Sequence, residues 1–469
     1  MRRALWSGCC ALFLATAAGA GDDASSGRRI FVTGGVADEV IASFAGSNIR
    51  LAPRLRRCAG CHGRDGAGGR EGGITMPPLS WRALTAPREA TSAQPGRPAY
   101  DDALLIRALG QGIDPGGRTL APSMPRFQLT AAQASALLDQ LRIVGTDRDL
   151  DPGVTPGEIG IGAVLPLSGP AAPWGHAMRD GLERALTAAG PIYGRRLQLV
   201  TADAGSDTAE AWRSLVASGR VFALAGTMLP AEPGQEADDV PVIAPLRPAI
   251  AQDASNLFHL LAPVEDQMRG LVDELAAEIG HPMQLVVVGP DGTVADAVTD
   301  QARRRGATVL RRAHADNLAA LLPPAPAASP DAIVVLSDAD FDRLAARLAD
   351  QPGSFLLAGA AEAVAPEIAT DERLRLVLPI GPGGAAASAV PPLAGAAAAV
   401  LAEGLKRMGA RVSRAGLMTA IESLRDFQTG VLPPLSFDRG QHVGSHASIV
   451  VRPDRSRGIM ALSGWRTPQ

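Results

Sequence analysis

The sequence predicts a multidomain protein: a small all-α domain followed by a two-lobed α/β domain. Its 469 residues are too many for a single hydrophobic core. Residues 50–145 are rich in Gly, Pro and Arg, and they show helical periodicity with little strand pattern. From residue 157 onward, short apolar strands alternate with amphipathic helices, which is typical of parallel sheets covered on both faces. This second part exceeds one ordinary domain, so we expect two lobes.

We predict the first domain over 21–145, including an N-terminal extension, and its stretch "YDDALLIRALGQG" has helical periodicity. A second helix is predicted in "LTAAQASALLDQLRIVG", where Thr130 is suited to cap the start and Gly145 to stop the end. Upstream, "RRIFVTGG" predicts a short helical or extended piece. A domain with so many loops and so few apolar elements would gain stability from a bound cofactor that forms part of its core.

In the second domain, the chain order of strands and helices can be assigned from the pattern. We predict the domain over 157–469, after a linker at 146–156, with lobes at about 157–262 plus 385–430 and at 263–384. The predicted strands are "EIGIGAVLPL", "RRLQLVTAD", "VFALAG", "VPVIAP", "NLFHLLAP", "MQLVVVGPDG", "DAIVVLSD", "SFLLAGA", "LRLVLPIG", "PLSFDRG" and "HASIVVRPD". The predicted helices include "GHAMRDGLERALTAAG", "DTAEAWRSLVASG", "VEDQMRGLVDELAAEIG" and "TVADAVTDQARRRG".

The first 20 residues have the pattern of a cleaved signal peptide. Arg2 and Arg3 precede an apolar run that ends in the small residues Ala18-Gly19-Ala20. An uncleaved anchor is the alternative, although the run is short for a membrane span. Lipid attachment at Cys9 is another. Cleavage would remove Cys9 and Cys10 and place the protein in the periplasm, with two cysteines left.

Those two cysteines form the most informative motif, "CAGCH". Cys58 and Cys61 are spaced to reach the two vinyl groups of a haem, and His62 follows the second thiol, where it can bind the iron. A zinc site would need four protein ligands, and no further cysteine exists in the mature chain. A redox dithiol would sit in a βαβ pattern, which this stretch lacks. The motif therefore predicts one covalently attached haem c.

The second iron ligand has two candidates. No histidine occurs between His62 and His176, and after the signal peptide the first domain has only Met76 and Met124. A thioether must approach the opposite face of the haem, which takes a long excursion of chain. Met124 has that excursion and is favoured over Met76, while a vacant position or core packing of either methionine stays open.

Residues 50–145 resemble a small monohaem cytochrome c of the C-x-x-C-H…Met type. The resemblance rests on "CAGCHG", "YDDALLIRALGQGIDPGGR" and "MPRFQLTAAQASALLDQLR", and "GRRIF" resembles the opening helix. It implies a helical fold around one haem, with His62 and Met124 as axial ligands, and one-electron transfer with a periplasmic redox partner. A group of arginines around the motif could steer an acidic partner or only be solvated: Arg54, Arg56, Arg57, Arg64 and Arg70.

The second domain carries no motif for catalysis. The glycines of "GIGAV" lie in a strand, and "PLSGPAAPWG" separates them from the helix, so a dinucleotide loop is excluded. We find no nucleophile elbow, zinc-protease motif or phosphate loop, and we therefore expect a non-enzymatic protein. The net charge of −3 gives no indication of nucleic-acid binding.

Residues 157–455 resemble the leucine/isoleucine/valine-binding family of periplasmic solute-binding proteins. The resemblance is strongest at "PLSGPAAPWG", "YGRRLQLVTAD", "ALAGT", "VPVIAP" and "LSFDRG". It implies a hinged type I binding fold that closes on a small molecule, usually the substrate of an ABC permease. Carried over by position, the ligand-facing residues are Ser168, Gly169, Trp174 and Thr227.

The sequence departs from that family where an amino acid would bind. After "VPVIAP" the family supplies small hydroxyl residues, but this chain has Leu246 and Arg247. Neither tyrosine of the chain lies in the C-terminal lobe. An unpaired ammonium group in a closed cleft would be costly, so Arg247 favours a carboxylate or other anion.

Three functions fit these patterns. The first is an exported electron carrier fused to a small-molecule-binding domain. The second is a solute receptor of an ABC uptake system whose haem is sensory or structural. The third is an accessory subunit that accepts electrons from a periplasmic dehydrogenase.

Overall fold

The computed structural model describes residues 19–35, 40–90, 95–146, 148–230, 239–247, 249, 256–314, 330–348, 355–360, 371–381, 390–454 and 458–468. The chain divides into two compact units, with the division between Leu150 and Asp151. The predicted signal peptide lies outside the described residues except for its last two positions. None of the helices in the described ranges has the length and apolar character needed to span a bilayer.

The first unit is mostly helical. Its elements are α1 (Gly19–Thr33), β1 (Ile41–Ser43), α2 (Pro53–Arg56), α3 (Cys58–His62), β2 (Gly69–Glu71), β3 (Ile74–Met76), α4 (Trp81–Thr85), α5 (Asp102–Gln111), β4 (Arg126–Gln128) and α6 (Ala131–Ile143). Helix α6 begins as predicted: the Thr130 side chain accepts from the backbone N–H of Gln133, whose side chain accepts from Thr130 N–H in return. Two strand pairs, β1 with β4 and β2 with β3, were not predicted, because three-residue strands are too short to show alternation.

Helices α1 and α6 pack against each other and build the core of this unit. Phe31 of α1 and Leu137 of α6 are fully buried in one cluster. The helix backbones approach so closely that a Cβ on Gly27 would lie 1.9 Å from the carbonyl oxygen of Ala136. Only glycine permits this approach, and it fixes the crossing point of the two helices.

The second unit contains two sheets. The elements of its first lobe are β5 (Glu158–Leu165), α7 (Ala172–Ala189), β6 (Arg196–Asp203), α8 (Thr208–Ala217), β7 (Ala223–Ala225), β8 (Val242–Ile243) and β9 (Leu257–Phe258). Those five strands are parallel, in the order β6-β5-β7-β8-β9. Helix α7 follows β5 and helix α8 follows β6, which gives the predicted alternation of strands and helices.

The second lobe continues the pattern. Its elements are α9 (Val264–Ile279), β10 (Gln284–Val288), α10 (Thr293–Arg304), β11 (Thr308–Ala313), β12 (Ala332–Val335), α11 (Asp338–Leu348), β13 (Leu356–Ala360) and β14 (Leu374–Leu378). The chain then forms α12 (Val390–Met408) and α13 (Arg414–Glu422) and ends with β15 (Ile449–Asp454) and β16 (Gly458–Ala461). The second sheet has the order β11-β10-β12-β13-β14-β15-β16, with its last two strands antiparallel.

The late helices and the late strands belong to different lobes. Helix α12 packs on α7 of the first lobe, where a Cβ on Gly181 would lie 2.9 Å from that of Ala394. Strands β15 and β16 join the second sheet instead. The chain therefore crosses between the lobes repeatedly, and two of its crossing segments pair through the parallel bridge between His259 and Val443.

Two sequence predictions need correction here. The stretch "PLSFDRG" is not a strand: it forms only two isolated bridges, from Leu435 to Phe427 and from Asp438 to Gln441. Both partners are near in sequence, so the segment folds back on itself and joins neither sheet. The predicted linker at 146–156 is folded from Asp151 onward. Asp151 and Val154 are buried in the second unit, and the Asp151 carboxylate accepts from the backbone N–H of Arg414 at 2.6 Å.

Candidate haem and ligand sites

The cysteines and the histidine of the C-x-x-C-H motif lie on one turn of helix. Helix α3 begins after Arg57 and ends at Gly63, whose φ of 80° stops it. Positions 58, 61 and 62 are related by i, i+3 and i+4, so their side chains share one face of the helix. Both thiols are free; Cys58 is half-buried and Cys61 is exposed. The geometry offers two thiols and an imidazole to a single planar group.

Burial raises the pKa of the Cys58 thiol to about 12, more than a backbone hydrogen bond lowers it, and the neighbouring Cys61 adds to the rise. A redox dithiol or a zinc site requires a thiolate, which a lowered pKa favours. No group of three or more His, Cys, Asp or Glu side chains in the described ranges could hold a metal ion. Within these ranges, the motif therefore lacks the further protein ligands that a structural zinc site requires.

The orientation of His62 is fixed by a backbone carbonyl. Its Nδ1 lies 2.8 Å from the carbonyl oxygen of Pro77. Burial lowers the pKa of the imidazole, and the hydrogen bond to Pro77 offsets only part of that effect, so the neutral ring prevails at neutral pH. A neutral ring that donates from Nδ1 keeps the Nε2 lone pair for a metal. Sequence reasoning missed Pro77, although a proline after the motif was visible.

A glycine-rich loop places Pro77 beside His62. The backbone N–H of Gly68 donates to His62 O at 2.7 Å, and that of Leu79 donates to Gly66 O at 2.8 Å. A Cβ on Gly68 would lie 2.5 Å from Met76 O and 2.9 Å from the carbonyl carbon of Pro77. Gly68 also has a φ of 80°, so no other residue fits the loop without displacing Pro77.

The two candidate methionines have different surroundings. Met124 is half-buried and packs on the α1–α6 core cluster, as do Cys58 and Ala59. Met76 pairs with Gly69 across the β2–β3 hairpin, and its methyl group would lie 3.7 Å from a Cβ on Gly69. Met124 and Cys58 therefore border the same apolar cluster, and a donor set of two thiols, one imidazole and one thioether fits a haem c.

The arginines near the motif do not form one exposed cluster. Arg56 is buried, with 2% of its surface exposed, and it donates to the carbonyl oxygens of Gly34 at 2.7 Å and Leu51 at 3.0 Å. Arg56 therefore stabilises the fold by hydrogen-bonding to two loops, and it is too buried to contact a partner. Arg64 is half-buried, whereas Arg54, Arg57 and Arg70 are exposed.

In the second unit, the predicted ligand-facing residues follow the strands of the first sheet. Ser168 and Gly169 are exposed in the loop after β5, and Trp174 is half-buried in the first turn of α7. Thr227 follows β7, and Arg247 follows β8. Because the carboxyl ends of parallel strands meet at one edge, all five positions belong to the edge where such folds bind ligands.

The Thr227 hydroxyl has a different role from a ligand contact. The residue is fully buried, and Oγ1 accepts from Val164 N–H at 2.9 Å and donates to Met228 O at 3.1 Å. It ties the loop after β7 to β5. The half-buried neighbours Met228 and Leu229 pack against the apolar core cluster of the first lobe.

Arg247 lies in a strained turn. Ala244 has a φ of 55°, which is unusual for a residue other than glycine. The Leu246 N–H then donates to Thr227 O at 2.8 Å, so the loops after β7 and β8 are tied together. Leu246 and Arg247 are both half-buried. Strain of this kind is frequent where a fold holds ligand-binding groups in place.

Comparisons with known proteins agree with this geometry. Residues 53–142 match the family model of cytochrome c, and residues 158–371 match that of periplasmic binding proteins. The chain is a fusion of a cytochrome c domain and a domain of the periplasmic-binding-protein type. A cytochrome c domain implies a covalently bound haem c. A search of curated protein sequences found no match.

Solved structures similar to this chain have the fold of the second unit. A fatty acid ABC transporter substrate-binding protein from Thermomonospora curvata has 16% identity and a TM-score of 0.54, over 67% of this chain and 94% of that one. A putative branched-chain amino acid ABC transporter from Silicibacter pomeroyi has 16% identity and a TM-score of 0.53, over 66% and 99%. A possible leucine/isoleucine/valine-binding protein from Rhodopirellula baltica has 17% identity and a TM-score of 0.52, over 66% and 97%. Identities this low establish the fold alone.

Proposed function

We propose that this protein is an exported one-electron carrier whose second domain binds a small molecule. Cys58 and Cys61 would hold the haem covalently, and His62 and Met124 would bind its iron. The haem supplies the one-electron change of its iron. The chain's own part is to attach the group through its two thiols and to orient the imidazole.

The observation that carries this proposal is the hydrogen bond from His62 to Pro77. At 2.8 Å it holds the ring with Nδ1 occupied and supports Nε2 as the ligand atom. Packing of Met124 on the same core cluster as Cys58 supports its thioether as the second ligand atom. Methionine ligation raises the reduction potential relative to a second histidine, which suits a carrier in an oxidising compartment.

The ligation is tested by exchanging the two methionines. Met124→Leu should remove the thioether-to-iron absorption of the ferric protein and lower the reduction potential. Met76→Leu is the matched control, since it makes the same change in the hairpin, and it should leave both unchanged. A spectrum that responds to Met76→Leu and not to Met124→Leu would contradict the assignment.

For the second domain, we propose a ligand with an anionic group and an apolar body. Arg247 supplies a positive charge after β8 of the first sheet, and the adjacent half-buried Leu246 supplies apolar surface. One structural neighbour is named for fatty acids, which have that chemistry. Uptake with an ABC permease is the second candidate function, favoured by the fold that this unit shares with substrate-binding proteins.

The ligand is tested by thermal unfolding of the haem-loaded protein against amino acids, carboxylates, alcohols and aldehydes. A ligand at 100 times its Kd should stabilise the second domain by about 2.7 kcal/mol. Arg247→Ala should abolish that stabilisation, whereas Arg220→Ala, at an exposed arginine of the same lobe, should keep it. An unchanged response in Arg247→Ala would contradict the proposed anion contact.

A further inference from the structure

Residues 40–57, here named the basic segment, carry the positive charge of the first unit. The segment "VIASFAGSNIRLAPRLRR" contains four arginines and no acidic residue. Residues 58–150 contain ten arginines and nine acidic residues, a net charge of +1 over five times the length. The charge surplus is therefore concentrated in the stretch that runs directly into Cys58.

Three of the four arginines are available to a partner. Arg50, Arg54 and Arg57 are exposed, whereas Arg56 is buried. In the part of the chain that the structure describes, no ion pair involves Arg50, Arg54 or Arg57. Their positive charges can therefore attract an acidic partner that approaches the attachment motif.

The same segment exposes large apolar side chains. Ile49 is 75% exposed, Leu55 is 54% exposed and Phe44 is 38% exposed. Arginine and aromatic side chains such as Phe44 are enriched in protein interfaces, and the exposed Ile49 and Leu55 add apolar contact area.

The backbone of the basic segment is fixed in place. Strand β1 pairs with β4, which begins two residues after Met124. The Leu51 N–H donates to Ala42 O at 2.9 Å and closes the loop between Ala42 and Leu51. Arg56 ties the end of the segment to Leu51 and Gly34. A surface that is already ordered loses little entropy when a partner binds.

We infer that the basic segment is the docking surface for an acidic redox protein that exchanges electrons with the haem. This inference rests on the proposed electron transfer and adds the site and the chemistry of the partner. An anionic membrane is the less suitable occupant, because surface binding uses an amphipathic helix and the only helix of the segment, α2, has four residues.

The test uses an acidic flavodoxin in its reduced form as a defined electron donor, with stopped-flow detection of the ferrous haem. One electron passes from the reduced flavin to the ferric haem in each reaction. The semiquinone of free lumiflavin, which is uncharged at neutral pH, serves as the donor that needs no docking. The variant R50Q/R54Q/R57Q removes three charges from the basic segment. The variant R29Q/R82Q/R148Q removes three exposed charges elsewhere in the unit.

At low ionic strength, the basic-segment variant should react with flavodoxin about tenfold more slowly and lose the salt dependence of the rate. Its rate with lumiflavin should stay within about twofold of the wild type. The control variant should keep most of the flavodoxin rate. The double variant Ile49→Ser, Leu55→Ser should weaken the flavodoxin reaction at high salt, where the apolar contact remains.

Equal losses in the two triple variants would overturn the inference, because they would reflect net charge alone. Binding to phosphatidylglycerol vesicles that needs Arg50, Arg54 and Arg57, with an unchanged flavodoxin rate, would assign the surface to a membrane and also overturn it. Absence of any reaction with lumiflavin is a distinct result: it would contradict the proposed electron transfer itself.

Discussion

The Arg126 guanidinium donates from Nη1 to the carbonyl oxygen of Met124 at 2.6 Å. Its Nη2 donates to the carbonyl oxygen of Leu120 at 3.0 Å, so one side chain closes the loop that carries the proposed iron ligand. Burial lowers the pKa of Arg126, but the group remains charged at any physiological pH. The loop after α5 is therefore held by hydrogen bonds to a charged group and not by regular secondary structure.

Arg126→Gln should destabilise the first unit by about 1.5–3 kcal/mol, because it removes charged hydrogen bonds to two carbonyl groups. It should also weaken the thioether-to-iron absorption, since Met124 loses its support. Denaturant unfolding followed by haem absorbance measures both effects. Arg82→Gln, at an exposed arginine on α4, should change neither; a matching loss there would contradict the role of Arg126.

Gly112→Ala should disturb the same loop from its other side. Gly112 ends α5 with a φ of 70°, and a Cβ there would lie 1.9 Å from Nε of Arg126. The substitution combines backbone strain with displacement of the guanidinium, so we expect a loss of about 1–3 kcal/mol and partial loss of the Met124 signal. Gly117→Ala is the control, because its φ of 83° imposes similar strain with open space around it. Equal spectra for the two variants would contradict the displacement of Arg126.

A buried carboxylate holds the end of α6 to α1. Asp149 pairs with Arg28, accepts from Gln140 Nε2 at 2.9 Å and accepts from Gly145 N–H at 3.1 Å. Asp149→Asn should cost about 3 kcal/mol in the free energy of unfolding, because it removes one partner of a largely buried pair. Asp139→Asn breaks a pair in which Asp139 is 60% exposed, and it should cost about 1 kcal/mol or less. Equal costs would show that burial of Asp149 does not matter.

The stability of the second unit should depend on pH through Asp266. Burial alone would raise the pKa of this carboxyl, but hydrogen bonds from His446 at 2.6 Å and from Arg269 lower it below its usual value. The unfolded chain takes up the proton near pH 3.9. The stabilisation is therefore complete above that pH and is lost as the pH falls through the lower pKa of the folded state.

Asp266→Asn should flatten the decline in unfolding free energy between about pH 4 and the pKa of the folded carboxyl. Denaturant midpoints measured across this window test the expectation. Asp300→Asn changes an aspartate that is 63% exposed and should leave the pH dependence as in the wild type. An unchanged acid dependence in Asp266→Asn would contradict the assignment.

Ala244→Gly should relieve strain at the turn before Leu246 and Arg247. At a φ of 55°, glycine avoids a steric cost of about 1–2 kcal/mol that alanine bears, although glycine gives part of this back as entropy of the unfolded chain. We expect Ala244→Gly to be neutral or stabilising and Ala244→Val to lower the melting temperature. Differential scanning calorimetry distinguishes the two. If Ala244→Gly lowers the melting temperature as much as Ala244→Val does, side-chain packing and not backbone strain determines the preference for alanine at position 244.

Local patterns predicted the fold well. The apolar runs that became β5, β10 and β12 and the helix that Gly190 ends were visible because each signal lies within one stretch of chain. The strand pairs of the first unit and the burial of Arg56 were not predictable, since both depend on contacts between residues far apart in sequence. The burial of Thr227 was missed for the same reason, because its partner Val164 lies 63 residues away.

For the candidate site, too, some residues could be predicted from the sequence and others could not. Cys58, Cys61 and His62 stand in a motif whose spacing is itself the chemical signal. Pro77 was missed because its role depends only on a backbone carbonyl, which any residue could provide. Arg247 could be singled out by its residue type, but the strained turn at Ala244 that places it is visible only in the structure.

The most direct test of the account is whether haem remains on the polypeptide after acid–acetone extraction. Mature protein made in cells that attach haem c should keep its haem and give the reduced haem c absorption spectrum. The Cys58→Ser, Cys61→Ser double variant should release any haem to the solvent. Complete extraction of haem from the wild-type chain, or the absence of a haem c spectrum, would contradict the proposed function of the first unit.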